Sequence, residues 1–240
     1  MEKVIYALWR CEGTDKAAFA ARLHGELVPR LVALGVLGAQ LNVADADAAD
    51  AAPTMQALPM PMDAFVSVWV DSANASLRKP VDDAVAAVCE RYAAWLVTES
   101  RPMRNTRFLP ALGERTAGFA QVALFRRPPR IEREAWLDVW LGSHTQVAID
   151  TQDTFLYVQN VVTRALTPDA PQYDAIVEEG FPPEAIGNIQ AFYDAVGDEE
   201  KFRRNVVAMR ESCARFIDMD KIDVVQTSQY VLIPPRGGVG

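Results

Sequence analysis

Apolar and polar positions along the chain switch between a period of about 2 and a period of about 3.6 residues, and the order of the switches occurs twice. Val4-Ile5-Tyr6-Ala7-Leu8-Trp9-Arg10 is β-branched and aromatic and predicts a strand. Asp15 stands where an N-cap would open a helix to about Leu34, with Pro29 expected to bend or interrupt it. Ala39 to Val43 and Ala64 to Val70 predict two more strands, separated by an Ala/Asp/Pro/Met stretch, Ala51 to Met62, that reads as a loop with the look of a mobile flap. Val81, Ala84, Val85, Val88, Tyr92 and Trp95 then keep helical spacing, and Leu96 to Ser100 makes a fourth strand.

The second half repeats this order. Strands are expected at Ala120 to Arg126, Phe155 to Val161, Asp174 to Val177 and Asp223 to Val231, and helical pattern at Glu132 to about Ile149, Pro183 to Val196 and Glu199 to Phe216. Ala7-Leu8-Trp9-Arg10 lines up with Ala123-Leu124-Phe125-Arg126, and Met62-Asp63-Ala64-Phe65-Val66 with Tyr173-Asp174-Ala175-Ile176-Val177. The reading is an α+β chain of two ferredoxin-like βαββαβ repeats, residues 1–100 and 119–233, with a connector at 101–118 and a disordered tail at 234–240. Each unit leaves one sheet face uncovered, so the antiparallel sheets are expected to pack into an intramolecular barrel enclosing a space for a small molecule.

Length and charge narrow the function. At 240 residues the chain can bury two cores without disulfides, and its three cysteines, Cys11, Cys89 and Cys213, lack ligand or C-x-x-C spacing. No apolar run approaches a membrane span and the first residues carry no leader pattern, which points to a cytoplasmic protein without a membrane partner. A net charge of −8 and the absence of a Lys/Arg cluster argue against nucleic acid. The two histidines, His24 and His144, sit in no metal-binding pattern, and no glycine-rich nucleotide loop or G-x-S-x-G occurs, so neither a metal nor a cofactor is expected.

His144 is the sharpest chemical candidate. Trp136, Trp140 and His144 are spaced by four, so the imidazole continues an apolar stripe facing the sheet, where it is either a satisfied core histidine or a proton carrier. Tyr157 and Gln159 alternate onto one face of their strand and Asn160 onto the other. Of Glu178 and Glu179 one points inward and one outward, and alternation alone does not choose between them. Asp63 and Asp174 match across the repeats and suggest a turn role; Arg10 and Arg126 match as strand ends; Asn42, Ser67, Trp69 and Glu99 outline a second pocket in the first half.

Phe125-Arg126-Arg127-Pro128, the Trp136-x-x-x-Trp140-x-x-x-His144 pattern, Tyr157-x-Gln159-Asn160 and Tyr173-Asp174-Ala175-Ile176 resemble the EthD family of dimeric α+β-barrel proteins, over about Phe119 to Leu232. The first half looks like a diverged copy in which Phe19 corresponds to Trp136 and Leu27, not His24, to His144. The resemblance implies two units paired sheet to sheet, further pairing of chains as a homodimer, and cofactor-free chemistry such as that of cyclases, isomerases and quinone-forming monooxygenases. It implies a catabolic lyase, cyclase or isomerase acting on a hydrophobic, aromatic or polyketide-like carbonyl compound, with His144 as general acid/base, Tyr157 and Glu178 assisting, and Trp140, Gln159 and Asn160 binding substrate. The alternatives are a non-catalytic carrier or sensor of small apolar ligands, and haem ligation by His144, because some relatives of this barrel bind haem.

Overall fold

The computed structural model describes residues 1–235. Each half has four strands and two layers of chain order, strand–helix–strand–strand–helix–strand. The first half contributes β1 (Glu2–Trp9), β2 (Gly38–Val43), β3 (Ala64–Val70) and β4 (Arg91–Met103); the second contributes β5 (Phe119–Phe125), β6 (Leu156–Ala165), β7 (Ala175–Phe181) and β8 (Ile222–Ile233). Each four-stranded sheet has the ferredoxin-like order, and the edges β2–β8 and β4–β6 pair antiparallel, so the eight strands close into one barrel, β1-β3-β2-β8-β5-β7-β6-β4. Closure removes both open edges of each sheet.

Helices cover the outside. Helix α1 is α-helical over Lys16–Arg22 and Val28–Ala33 with a π-helical turn, Leu23–Leu27, between them; α2 spans Ala75–Ala86. Helix α3 is α-helical over Arg133–Leu137 and Thr145–Thr151 with a π-helical stretch Asp138–His144 between; the short α4 (Ile189–Phe192) and α5 (Glu199–Ala214) follow. Asp15 caps α1 by accepting from the Ala18 amide at 2.7 Å. Pro29 does not end α1: it sits at the start of the second α-helical segment, where the missing N–H costs little after the π turn. The same widening occurs in α3 without a proline, so the π turn belongs to the repeat and not to Pro29.

Because helices pack outside and side chains fill the lumen, the strands are buried on both faces, and β1 is buried from Lys3's neighbour Val4 through Trp9. Val4, Tyr6 and Leu8 face the helices, whereas Ile5, Ala7 and Trp9 face the lumen. In the second repeat Phe125, Trp136, Trp140 and Phe216 form the helix-side core, and truncating either buried Trp would cost about 3–5 kcal/mol.

Two expectations are corrected. Tyr92 and Trp95 lie on β4, not on a helix: α2 ends at Ala86, and the four-residue spacing of its apolar positions runs by coincidence into a strand in which Tyr92 meets the helices and Trp95 the lumen. The residue match between the repeats is one position off. The Asp63 amide bonds Leu8 O and the Asp174 amide bonds Phe125 O, while the side chains accept from the Arg10 and Arg127 amides at 3.0 and 2.8 Å. Leu8 thus corresponds to Phe125 and Arg10 to Arg127; matching Leu8 with Leu124 puts a helix-facing residue against a lumen-facing one. The two aspartates do share a turn role. Strand β4 also runs to Met103, into the segment read as connector, and residues 236–240 of the tail lie outside the described residues.

Candidate functional site

The π turn of α3 brings Trp140 and His144 over the outer face of the second sheet, beneath α5. Between sheet and helices lies a cavity of about 240 Å³. Its floor comes from β5 (Gln121, Ala123, Phe125), β6 (Tyr157) and β7 (Val177, Glu179); its roof includes Trp140, His144, Gln152, Cys213 and Phe216. The pocket is therefore not the space between the two sheets: His144 stands outside the barrel, on the helix side.

His144 is 6% exposed, its ring 4.5 Å from that of Phe216. Nδ1 lies 2.9 Å from Ser212 Oγ, which accepts from Arg215 Nη2 at 2.8 Å. The Ser212 hydroxyl can donate to Nδ1, and in that tautomer the ring proton stands on Nε2. Burial, and then the Arg215 charge, push the His144 pKa down to about 4. At neutral pH the ring is an uncharged N–H donor.

Glu179 behaves in the opposite sense. Burial raises its pKa to about 7, against the hydrogen bond donated by Gln121 Nε2 at 3.0 Å. Gln226 Nε2 in turn donates to Gln121 Oε1 at 3.0 Å and fixes that amide. The Tyr157 hydroxyl is held well above its ordinary range by burial first and then by Glu179, so it stays protonated. Burial and Glu179 also push the Cys213 thiol up to about 12. One cavity-lining polar atom, Gln152 Oε1, is buried without a hydrogen-bond partner among the described residues, which marks a place where a ligand can satisfy it, while Trp140 Nε1 points toward the Tyr157 hydroxyl.

Of the residues singled out in the sequence, the structure brings together His144, Tyr157 and Trp140. Gln159 shares their face but does not line the cavity; it donates to Thr145 Oγ1 at 2.9 Å and braces α3 against β6. Asn160 faces the lumen and donates to Ile176 O. Glu178 also faces the lumen, on the far side of β7 from His144, so of the two carboxyls it is Glu179 that lines the cavity at His144. Gln121, Gln152, Ser212 and Arg215 were not anticipated. Gln121 carries a readable signal, an amide alternating with Ala123 and Phe125 on an apolar strand face, but Ser212 on α5 and Arg215 at its C-cap have a partner set by tertiary packing alone.

Haem does not fit. The cavity falls below the roughly 300 Å³ that begins the range for drug-sized ligands, and a porphyrin at His144 Nε2 would have to displace the aromatic lining. No group of three or more His, Cys, Asp or Glu side chains suited to a metal occurs among the described residues, and none of their helices is long and apolar enough to cross a membrane.

No curated protein matches the sequence significantly. Among solved structures, the fold is similar to that of an anthrone oxidase-like protein (TM-score 0.53, 10% identity, covering 96% of this chain and 93% of the other). It is similar as well to a chlorite dismutase variant from Candidatus Nitrospira defluvii (TM-score 0.50, 10% identity, 96% and 92% covered). At these identities the likeness concerns the fold. Residues 128–220, which carry Trp136, Trp140, His144, Tyr157 and Glu179, match the model of the EthD domain, so that the EthD resemblance holds for the second repeat of a closed, ferredoxin-like α+β barrel.

Proposed function

We propose that the second repeat catalyses proton transfer at a carbon next to a carbonyl, on a small, largely apolar aromatic ketone. The observation that carries this reading is a buried carboxyl, Glu179, lining the same cavity as three uncharged donor groups, the His144 ring, the Trp140 N–H and the Tyr157 hydroxyl, with burial raising the carboxyl's pKa to about 7. A base whose pKa lies close to the working pH is the effective one, and neutral donors are suited to an oxygen that gains negative charge.

In this reading the Glu179 carboxylate takes the proton from the α-carbon, the C–H electron pair becomes the C=C bond of the enolate, and the carbonyl π pair moves onto oxygen. The donors stabilise that oxygen. Return of the proton from Glu179 to a different carbon yields an isomer; attack of the enolate carbon on a second carbonyl of the same molecule forms a ring, the π pair of that carbonyl moving onto its oxygen, which takes the proton back from Glu179. The role is thus divided differently from the general acid/base first expected of His144: at about 4 its pKa is too low for a proton carrier at neutral pH, and it serves as a donor.

The test is exchange of the α-hydrogens of 1-tetralone in D2O, followed by proton NMR. Exchange should rise with pH as Glu179 ionises, with a midpoint near 7, because only the carboxylate form is the base. Glu179→Gln should lower the rate by about 100-fold or more. Saturable binding of 1-tetralone without exchange above that variant's background would reject catalysis and leave a carrier.

A further inference from the structure

The second face of β7 leads to a separate chamber. At the end of the lumen where β2, β4 and β8 meet the connector lies a cavity of about 330 Å³. Trp69, Leu156, Val158 and Val231 supply apolar walls, and Leu109 and Leu112, 74% and 62% exposed, stand at its mouth. Its polar floor includes Lys3, Glu99, Glu178 and Gln229, all lumenal.

Glu178 is 6% exposed, and the hydrogen-bond partners of its carboxyl among the described residues are side-chain amides, with Lys3 near enough to interact with it electrostatically. Lys3 Nζ and Arg101 Nε are both engaged by Glu99, at 2.5 and 2.6 Å. Neutral amides hold Glu178: Gln40, Asn42 and Gln229 donate to Oε1 at 2.8, 2.9 and 2.6 Å, while among the described residues Oε2 accepts the second branch from Gln40, at 2.8 Å. A carboxylate accepts about four hydrogen bonds shared between its oxygens, so Oε2 retains acceptor capacity in a chamber whose walls are apolar. Lys3 and Arg101 are both paired with Glu99, and Arg104, the third cation of the lining, has a partner of its own, so a charged guest would be desolvated without a free partner.

We propose that this lumenal cavity is a second ligand site, taking a small neutral aromatic compound with a hydroxyl group that donates to Glu178 Oε2 while its ring lies against Trp69 and Val158. The site draws Gln40, Trp69 and Glu99 from the first repeat and Glu178 and Gln229 from the second, and it shares no side chain with the cavity at His144. Its ligand need not be the substrate.

The experiment is fluorine NMR of the full chain labelled with 5-fluorotryptophan, whose five tryptophans give separate reporters, assigned by single Trp→Phe variants. Trp69 reports the lumen and Trp140 the helix-side cavity. Phenol should shift the Trp69 signal saturably, and anisole, which lacks the donor, should bind there about 10-fold more weakly or worse. Equal responses to phenol and anisole, or a phenol response confined to Trp140, would overturn the proposal. Glu178→Gln should reduce the phenol preference to within about 3-fold; if that variant does not fold, Val158→Trp, which fills the chamber, should silence the Trp69 response and leave that of Trp140.

Discussion

Replacing Glu179 by Gln should make the protein more stable at alkaline pH while removing its base. Folding raises this carboxyl from its ordinary 4.5 to about 7, so ionising it inside the protein is harder than in the unfolded chain by about 3 kcal/mol, at about 1.4 kcal/mol per pH unit. The group is 8% exposed, so solvent screening discounts little of this. A raised folded pKa means that the native state binds the proton more tightly: the associated stability is fully present below pH 4.5 and is lost as pH rises through about 7. Gln copies the protonated form, its carbonyl still able to accept from Gln121 Nε2. The variant should match the wild type near pH 4.5 and exceed it by up to about 3 kcal/mol at pH 8. Urea unfolding followed by tryptophan fluorescence reads this as a midpoint shift of about 1 M or more, with unchanged slope. The acid-side loss from His144, whose depressed pKa makes stability fall as pH drops from 6.5 toward about 4, is common to both proteins and cancels in the difference. A stability difference constant to within about 0.5 kcal/mol from pH 4.5 to 8 would refute the burial of an ionisable Glu179.

Two further outcomes test the supporting structure. Ser212→Ala removes the hydrogen from His144 Nδ1, so nitrogen-15 NMR of the ring should change from one Nε2–H tautomer to a mixture, with a roughly 10-fold loss of exchange rate; an unchanged single tautomer would show that Ser212 does not set it. Gly118 opens β5 at φ +88°, and an added Cβ would stand 1.9 Å from Phe181 O, so Gly118→Ala should destabilise by more than about 3 kcal/mol in the same urea assay.

Much of the fold was readable because both repeats write the same alternation of strand and helix, with Asp15 and the two turn aspartates as punctuation. What was not readable follows from closure. In a barrel covered outside and filled inside, strands lose the hydrophobic alternation that tells one face from the other, so matching Leu8 with Leu124 looks as good as matching it with Phe125. Tyr92 and Trp95 were lost to the helix for a related reason: their spacing matched that of α2, and only the pairing of β1 with β4 separates them from it.

The choice between Glu178 and Glu179 shows where a missing register becomes a missing mechanism. Alternation requires the two carboxyls to face opposite chambers, and it already placed Tyr157 and Gln159 together and Asn160 apart. Cross-strand partners point to the same side, so one pairing decides the rest: Tyr157 stands opposite Glu179, Gln159 opposite Val177, and Asn160 opposite Ile176. The same register continues one residue beyond the paired strands, where the Val162 amide bonds Asp174 O. A shift of a single residue there would carry Glu178 to the helix side and Glu179 to the lumen, exchanging the carboxyls of the two chambers. The chemistry of both chambers is therefore held by the register of β6 against β7.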